Sequence, residues 1–384
     1  MSTGETPSTS LRIGVNLLFC IPGDVGGSEQ YLVRQLAGAL EVQPDLDLTV
    51  FAGAVFVERY REVLAGAHLV TAPGDVGSRP RRIALESTWL YARTGGFDVV
   101  QHGGGTAPMP VQRPYVLTVH DLQYRTYPEY FGATKRRYFD LMIPRSARRA
   151  AVSTVPSEYV RRSMVRELGV DGERIVVVPH GYEPDLLVER TDPTELRRRF
   201  ALGDGPVLVY PAMTAPHKNH VFLVELLETV WREPELRLVL IGGAGLAAEA
   251  LDQAIAAASE STRSRIVRPG RVSDADRNGL IAMADALVFP STYEGFGAPL
   301  IEAMALGTPV LCSNATCLPD IAGDAAVVRP LLAESWESGL DEVRGRRHEL
   351  VAAGRERVAE YTSRRSGEAL LTMYARLERE LEEG

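Results

Sequence analysis

Two glutamates eight positions apart, Glu294 and Glu302, bracket Gly295-Phe296-Gly297 within the run ALVFPSTYEGFGAPLIEAMALGTPVL at 286–311. Gly295 and Gly297 let the backbone approach a ligand closely, and Pro299 suits the first turn of a helix that Gly307 stops. The amides at such a helix start favour an anion such as a phosphate. Carboxylates on either side of that start can hydrogen-bond sugar hydroxyls while the amides hold a diphosphate. Taken singly, Glu302 merely complements the helix dipole and Glu294 is a solvated loop charge. The arrangement as a whole points to chemistry.

Other candidates lie in turns of the same kind. Of 42 basic residues only Lys135 and Lys218 are lysine, and Lys218 sits in YPAMTAPHKNH, just after an apolar run and at a helix start. His217 and His220 flank it but lack the carboxylate partners of a metal pair. His120 closes YVLTVHD, and the glycine-rich GDVGGSE at 23–29 follows another apolar run. That segment lacks the GxGxxG spacing of a dinucleotide fingerprint, and IGGAGL at 241–246 reads as an ordinary strand–helix turn. Asp45/Asp47 and Asp274/Asp276 have the DxD form of a metal-held diphosphate site. The first pair lies in a loop leading to a strand, and the second is placed to cap a helix. No metal cofactor is expected.

The elements that position these residues alternate strand, turn, helix. Strands are expected at Leu11–Leu17, Leu48–Ala52, Asp98–Gln101, Tyr115–Val119, Ala151–Val155 and Arg174–Val178. After a polar break they resume at Pro206–Tyr210, Leu236–Ile241, Arg265–Val267, Ala286–Phe289 and Pro309–Leu311. Short apolar runs alternating with helices are the pattern of a parallel α/β sheet. Both halves show it, so the fold class is α/β with two Rossmann-like doubly wound domains, whose ligands belong at the carboxyl ends of strands. Residues 1–10 read as a disordered tail and 11–185 as the N-terminal domain. A linker is expected at 186–200, the C-terminal domain at 201–360 and a last helix at 361–384.

Composition narrows the function classes. With 45% hydrophobic and 24% charged residues the chain can bury cores, and 384 residues make two domains the default. No window approaches the ~20 apolar residues of a bilayer span, and no signal-peptide core opens the chain, so a cytoplasmic protein is expected. Cys20, Cys312 and Cys317 offer neither a disulfide framework nor a zinc motif. The net charge of −8 arises entirely in residues 191–384, a poor footprint for nucleic acid. Arginine-for-lysine usage and abundant alanine point to a GC-rich bacterial gene. The stretch Tyr124–Arg149 has basic residues in excess among aromatics. It fits an anionic acceptor such as a lipid-linked phosphate, a peripheral contact with the inner face of a membrane, or an ordinary solvated helix face.

Glu294-x7-Glu302 within YEGFGAPLIEAMALGTPV closely resembles the retaining glycosyltransferases of family 4, two-domain enzymes of the GT-B type, and the resemblance spans nearly the whole chain. It implies a nucleotide-sugar donor and a hydroxyl acceptor, which is a polysaccharide, a glycolipid or a secondary metabolite, with donor bound by the C-terminal domain across a central cleft. It gives the ribose to Glu302, the transferred sugar to Glu294, and the phosphates to Lys218 and the Gly295, Phe296 and Gly297 amides. Gly26 and Gly27 correspond to the family's glycine loop near the donor phosphates, Arg271 to a position near the nucleotide, and His120 to a residue beside the donor sugar. Many relatives carry an arginine five residues before the lysine; here that position is Met213. The last helix is expected to cross back onto the first domain, although the Trp common at its start is absent from Tyr361-Thr362-Ser363. The resemblance implies a metal-independent transfer with catalytic roles for His120, Glu294 and Lys218. Glu294 holds hydroxyls rather than attacking, and the acceptor enters on the face that the diphosphate leaves. A sugar-nucleotide epimerase and a non-catalytic nucleotide-sugar binder of the same fold are the alternatives.

Overall fold

The computed structural model describes residues 6–23, 26–183 and 188–383. Its chain forms two compact units, Met1–Gly181 with Tyr361–Gly384, and Tyr182–Glu360.

The first unit holds seven strands: β1 Ile13–Asn16, β2 Leu48–Ala52, β3 His68–Thr71, β4 Val99–His102, β5 Tyr115–Thr118, β6 Val152–Val155 and β7 Ile175–Val177. They pair in parallel in the order β3-β2-β1-β4-β5-β6-β7. Central strands such as β1 and β5 are buried along their whole length, which is why they read as unbroken apolar runs. Edge strand β3, which the apolar pattern misses, has exposed His68 and Thr71 at its ends. Helix α1, Gly27–Val42, follows β1, and helix α2, Ala133–Arg149, leads into β6. One core cluster gathers Ile13, Val15, Leu32, Leu36, Val50 and Val99 with Leu370 and Tyr374 of the C-terminal helix Ser363–Glu382.

That last helix packs on α1 with the two backbones in contact. A Cβ on Gly38 would lie 1.8 Å from the Ser363 carbonyl oxygen, and one on Gly367 would lie 2.1 Å from the Gly38 carbonyl carbon. Tyr374 donates its hydroxyl to Gln101 on β4. The expected tail at 1–10 ends earlier than its polar composition suggests. Thr9 is buried, and its hydroxyl donates to Glu378 of the last helix at 2.7 Å; residues 1–5 lie outside the described residues.

The second unit holds β8 Val207–Pro211, β9 Arg237–Ile241, β10 Ile266–Gly270, β11 Ala286–Phe289, β12 Val310–Ser313 and β13 Ala326–Arg329. They are parallel in the order β10-β9-β8-β11-β12-β13. The expected linker at 186–200 is only partly a linker. Residues 184–187 lie outside the described residues, but Pro193–Arg199 is a helix, α3. Its cap is Asp192, which accepts from the Thr194 amide at 2.8 Å and the Glu195 amide at 3.3 Å. Asp-Pro-Thr is a helix-start signal, and Leu196 of α3 is fully buried. Three further helices matter for function: α4 His220–Thr229, α5 Asp274–Met283 and α6 Ala298–Ala305.

The backbone crossing of α1 and the last helix predicts that Gly367→Ala lowers unfolding stability by about 2 kcal/mol or more, read from urea denaturation. Gly132→Ala, where a Cβ meets nothing within 4 Å, should change it by under about 0.5 kcal/mol. Equal midpoints for Gly367→Ala and wild type would contradict the close crossing.

Candidate functional site

In the second unit β8 and β11 are neighbours in space but not in sequence, so the winding of the sheet reverses between them. Ligands of doubly wound sheets bind at the carboxyl ends of strands at such a switch point. Lys218 ends the short turn Pro216–Lys218 after β8, and Asn219 (φ 55°) turns the chain into α4 through the left-handed conformation that asparagine tolerates. Glu294 lies in the loop after β11. Lys218 Nζ meets Glu294 Oε1 at 2.6 Å, and the two side chains are only 17% and 11% exposed. The ammonium also lies 5.5 Å from the centre of the Phe289 ring.

The two loops are tied to each other and to the sheet. The Thr292 amide donates to the His217 carbonyl at 2.7 Å, and the Tyr210 hydroxyl donates to the Lys218 carbonyl at 2.8 Å. Ser313 on β12 donates to the Ser291 carbonyl at 2.5 Å. Thr316, held at φ 56°, accepts the Glu294 amide at 3.0 Å, and Cys317 Sγ donates to the Glu294 carbonyl at 3.3 Å. Gly297 starts α6 at φ 90°, where a Cβ would also lie 2.7 Å from Leu318. No side chain caps that helix, so its first amides are not held by one. Phe296 is buried.

Glu302, on α6 and 8% exposed, pairs with Arg277 of α5. Sequence spacing gives no hint of this partner, which lies 25 positions earlier on another helix. Arg271, at the exposed end of β10, runs instead beside Gly243: its Nε lies 3.0 Å from where a Cβ on that glycine would stand. No hydrogen bond or ion pair joins Arg271 to Glu294 or Glu302 among the described residues. Met213 is 52% exposed on the turn after β8. The glycines of 241–246 answer to packing, since a Cβ on Gly242 or Gly245 would lie 2.4 Å from the Ala212 or Thr214 carbonyl oxygen. Burial, reinforced by the Lys218 charge, pushes His217 down to about 4.

In the first unit the winding reverses between β1 and β4. Gly26 (φ 58°) precedes α1, and the space where a Cβ on Gly27 would stand is open for 4 Å. Asp24 and Val25 lie outside the described residues. Buried Glu29 fixes the flank of this loop: its Oε2 accepts the Gly23 amide at 3.0 Å, and its Oε1 accepts the Tyr60 hydroxyl. His120 follows β5, and its Nε2 bonds the Gly103 carbonyl, just after β4, at 2.8 Å. Its ring stands edge-on to Tyr31 with centroids 5.6 Å apart. Burial pushes His120 down to about 4, against the opposing effect of the Gly103 carbonyl. At neutral pH the ring is therefore uncharged. With Nε2–H donating to Gly103, Nδ1 is the acceptor nitrogen.

The DxD segments are placed differently from the strand-end loops. Asp45 and Asp47 precede β2, at the opposite end of its sheet from the switch-point loops. Asp276 accepts from Thr191 Oγ1 at 2.6 Å and from Arg199, and the cap of α5 is Ser273 rather than either aspartate. Among the described residues no group of three His, Cys, Asp or Glu side chains could hold a metal ion. No helix among them is long and apolar enough to cross a membrane.

Comparison with known proteins accounts for both units. The family model described as Glycosyltransferase Family 4 matches residues 25–186, and that described as Glycosyl transferases group 1 matches residues 192–357. O-antigen chain mannosyltransferase B of Escherichia coli is 29% identical over 321 residues, 79% of this chain and 82% of that protein. O-antigen chain mannosyltransferase RfbU of Salmonella typhimurium is 26% identical over 330 residues, 83% of this chain and 87% of that protein. Among solved structures, Anabaena HepE in complex with UDP and glucose superimposes with a TM-score of 0.71 at 18% identity, covering 97% of this chain and 99% of its own. Sucrose-phosphate synthase from Thermosynechococcus elongatus gives 0.71 at 19%, with the same coverage. The two switch-point sheets are thus the Rossmann-like domains of a GT-B fold, and the chain belongs to glycosyltransferase family 4.

Proposed function

We propose that this glycosyltransferase moves a mannosyl group from a nucleoside-diphosphate mannose to a hydroxyl of a growing polysaccharide, with retention of anomeric configuration and without a metal. The observation that carries the reading is the 2.6 Å pairing of Lys218 with Glu294 at the β8–β11 switch point. It sets a cation for a diphosphate and a carboxylate for sugar hydroxyls side by side, next to the uncapped start of α6. Mannose and the polysaccharide are suggested by the printed activities of the two O-antigen relatives.

In the proposed reaction the bond from the sugar's anomeric carbon to the diphosphate oxygen breaks as the acceptor oxygen bonds that carbon from the same face. The acceptor proton passes to a departing phosphate oxygen. Lys218 and the amides at Gly295–Gly297 receive the charge that develops on the diphosphate. Glu294 holds hydroxyls of the transferred sugar, and Glu302, aimed by Arg277, holds the ribose. Neutral His120 accepts a hydrogen bond from a sugar hydroxyl through Nδ1, while Gly26 and Gly27 leave room for the phosphates. Arg271 lies toward the nucleotide. With Met213 in place of a second cation, phosphate binding leans heavily on Lys218.

Three measurements test this reading. UDP, GDP, dTDP and their mannose derivatives are screened for thermal stabilisation. One of them, at 100 times its dissociation constant, should stabilise the wild type by ~2.7 kcal/mol and leave Glu302→Ala unshifted. No shift by any of them at millimolar concentration would remove the donor assignment. Lys218→Ala should lower kcat by about 10²-fold or more with donor saturating; a loss under fivefold would mean that the charge is held elsewhere.

The third test is pH. Unfolded His120 takes up a proton near its ordinary value of about 6.5, whereas the native residue does so only at about 4. Between those values the unfolded chain binds more protons, so native stability falls as pH falls through that window. His120→Asn should flatten this part of the decline in a pH series of melting temperatures; an unchanged slope would show that His120 is not held neutral.

A further inference from the structure

A second cationic site lies at the opposite end of the first sheet from His120. A pocket of about 170 Å³ opens where the loop entering β5 meets the last turns of α2, and Arg113, Arg145 and Arg149 line it with Tyr115 and Ser146. Tyr115 begins β5 and His120 follows its end, so the pocket and His120 are separated by roughly the length of the strand, on the order of 16 Å.

The three arginines are exposed, and all three line the same pocket. None of them has a carboxylate partner among the described residues, while Arg125, Arg161 and Arg166 in the same unit all do. They are not needed to complement the carboxyl end of α2 either. Arg174 already donates to the carbonyls of Arg148, Ala150 and Ala151, and Arg148 donates to the Leu168 carbonyl at 3.1 Å. The polar groups of the floor are occupied by structure: the Tyr115 hydroxyl donates to the Ser146 carbonyl at 2.7 Å, and Ser146 Oγ accepts the Ala107 amide at 3.0 Å. What remains facing the pocket, beside the apolar segment Ala107–Val111, is guanidinium. Burial raises the Tyr115 phenol, and Arg113, Arg149, Arg145 and Arg174 oppose that rise, so their field converges on this spot.

Like charges gathered around a concavity repel one another unless an anion fills it. Guanidinium forks match a tetrahedral oxyanion in both geometry and charge. Exposed Met109 lies on the rim, and exposed Leu141 lies on α2 one turn before Arg145. The cationic floor thus has an apolar edge.

We propose that Arg113, Arg145 and Arg149 form a phosphate-binding pocket separate from the donor site, which takes a phosphate group either free in solution or on an anionic lipid headgroup. The proposal does not depend on the donor assignment.

The test titrates the full chain with inorganic phosphate and, separately, with vesicles of phosphatidylglycerol and phosphatidylcholine against vesicles of phosphatidylcholine alone. Arg145→Gln/Arg149→Gln should bind at least tenfold more weakly than wild type. Arg136→Gln/Arg137→Gln, with the same charge change earlier on α2, should bind as wild type does. Melting temperatures identify any variant that fails to fold, and Arg113→Gln then serves in its place. Binding of inorganic phosphate assigns a soluble ligand, and binding only to phosphatidylglycerol vesicles assigns a headgroup; either outcome supports the pocket. Absence of both, or equal losses in the two double variants, would overturn it.

Discussion

Everything at the carboxyl ends of the second sheet turns on one constraint: a carboxylate and an ammonium, both largely out of water, must neutralise each other. Removing either partner of such a buried pair leaves an uncompensated charge at a cost of about 3–5 kcal/mol. The pair forms only because β8 and β11 are neighbours, which places the turn ending in Lys218 against the loop holding Glu294. The hydrogen bonds from Thr292 to His217 and from Tyr210 to Lys218 then fix the two loops against each other. The left-handed backbone at Asn219, Gly297 and Thr316 serves the same end, because each lets the chain turn sharply without moving a charged side chain away from its partner.

Two further carboxylates, Glu302 and Glu29, are buried and held by donors. Glu302 faces Arg277, and Glu29 is bonded by the Gly23 amide and the Tyr60 hydroxyl. A carboxylate held by a donor cannot rotate freely. Glu29 holds a loop in this way. Tethering Gly23 to the first turn of α1 fixes one flank of the glycine segment by hydrogen bonding.

The architecture and the residues of the candidate site were legible in the sequence for a shared reason. Strands buried on both faces must be apolar throughout, so β1, β5, β8 and β11 announce themselves, and the turns that follow them are where ligands meet such sheets. Strand β3 and strand β13 escaped because polar positions, exposed His68 and half-buried Arg329, dilute their short apolar pattern. Helix α3 was hidden by the prolines and charges that make Pro193 a helix start. Arg277 was invisible for a different reason. Its pairing with Glu302 is between helices, and no periodicity along one chain encodes a contact that packing creates. Thr9 and Gly38 belong to the same class: a polar tail and a helical glycine acquire meaning only once the last helix lies on α1.

The rarity of lysine in this chain now has a physical sense at position 218. Arginine is planar, presents a fixed fork and stays charged, which suits the many exposed pairs such as Arg346 with Glu342 and Glu349. A compact ammonium has three donors on a rotating group. On the proposed reading one of these donors can stay on Glu294 while the others turn to a diphosphate, so the carboxylate is never left bare as the ligand enters or leaves. A guanidinium committed through its planar fork to Glu294 would have to be withdrawn as a unit. On that reading the residue at the switch point serves two anions in turn without abandoning the first, a task that the rotating ammonium of lysine suits.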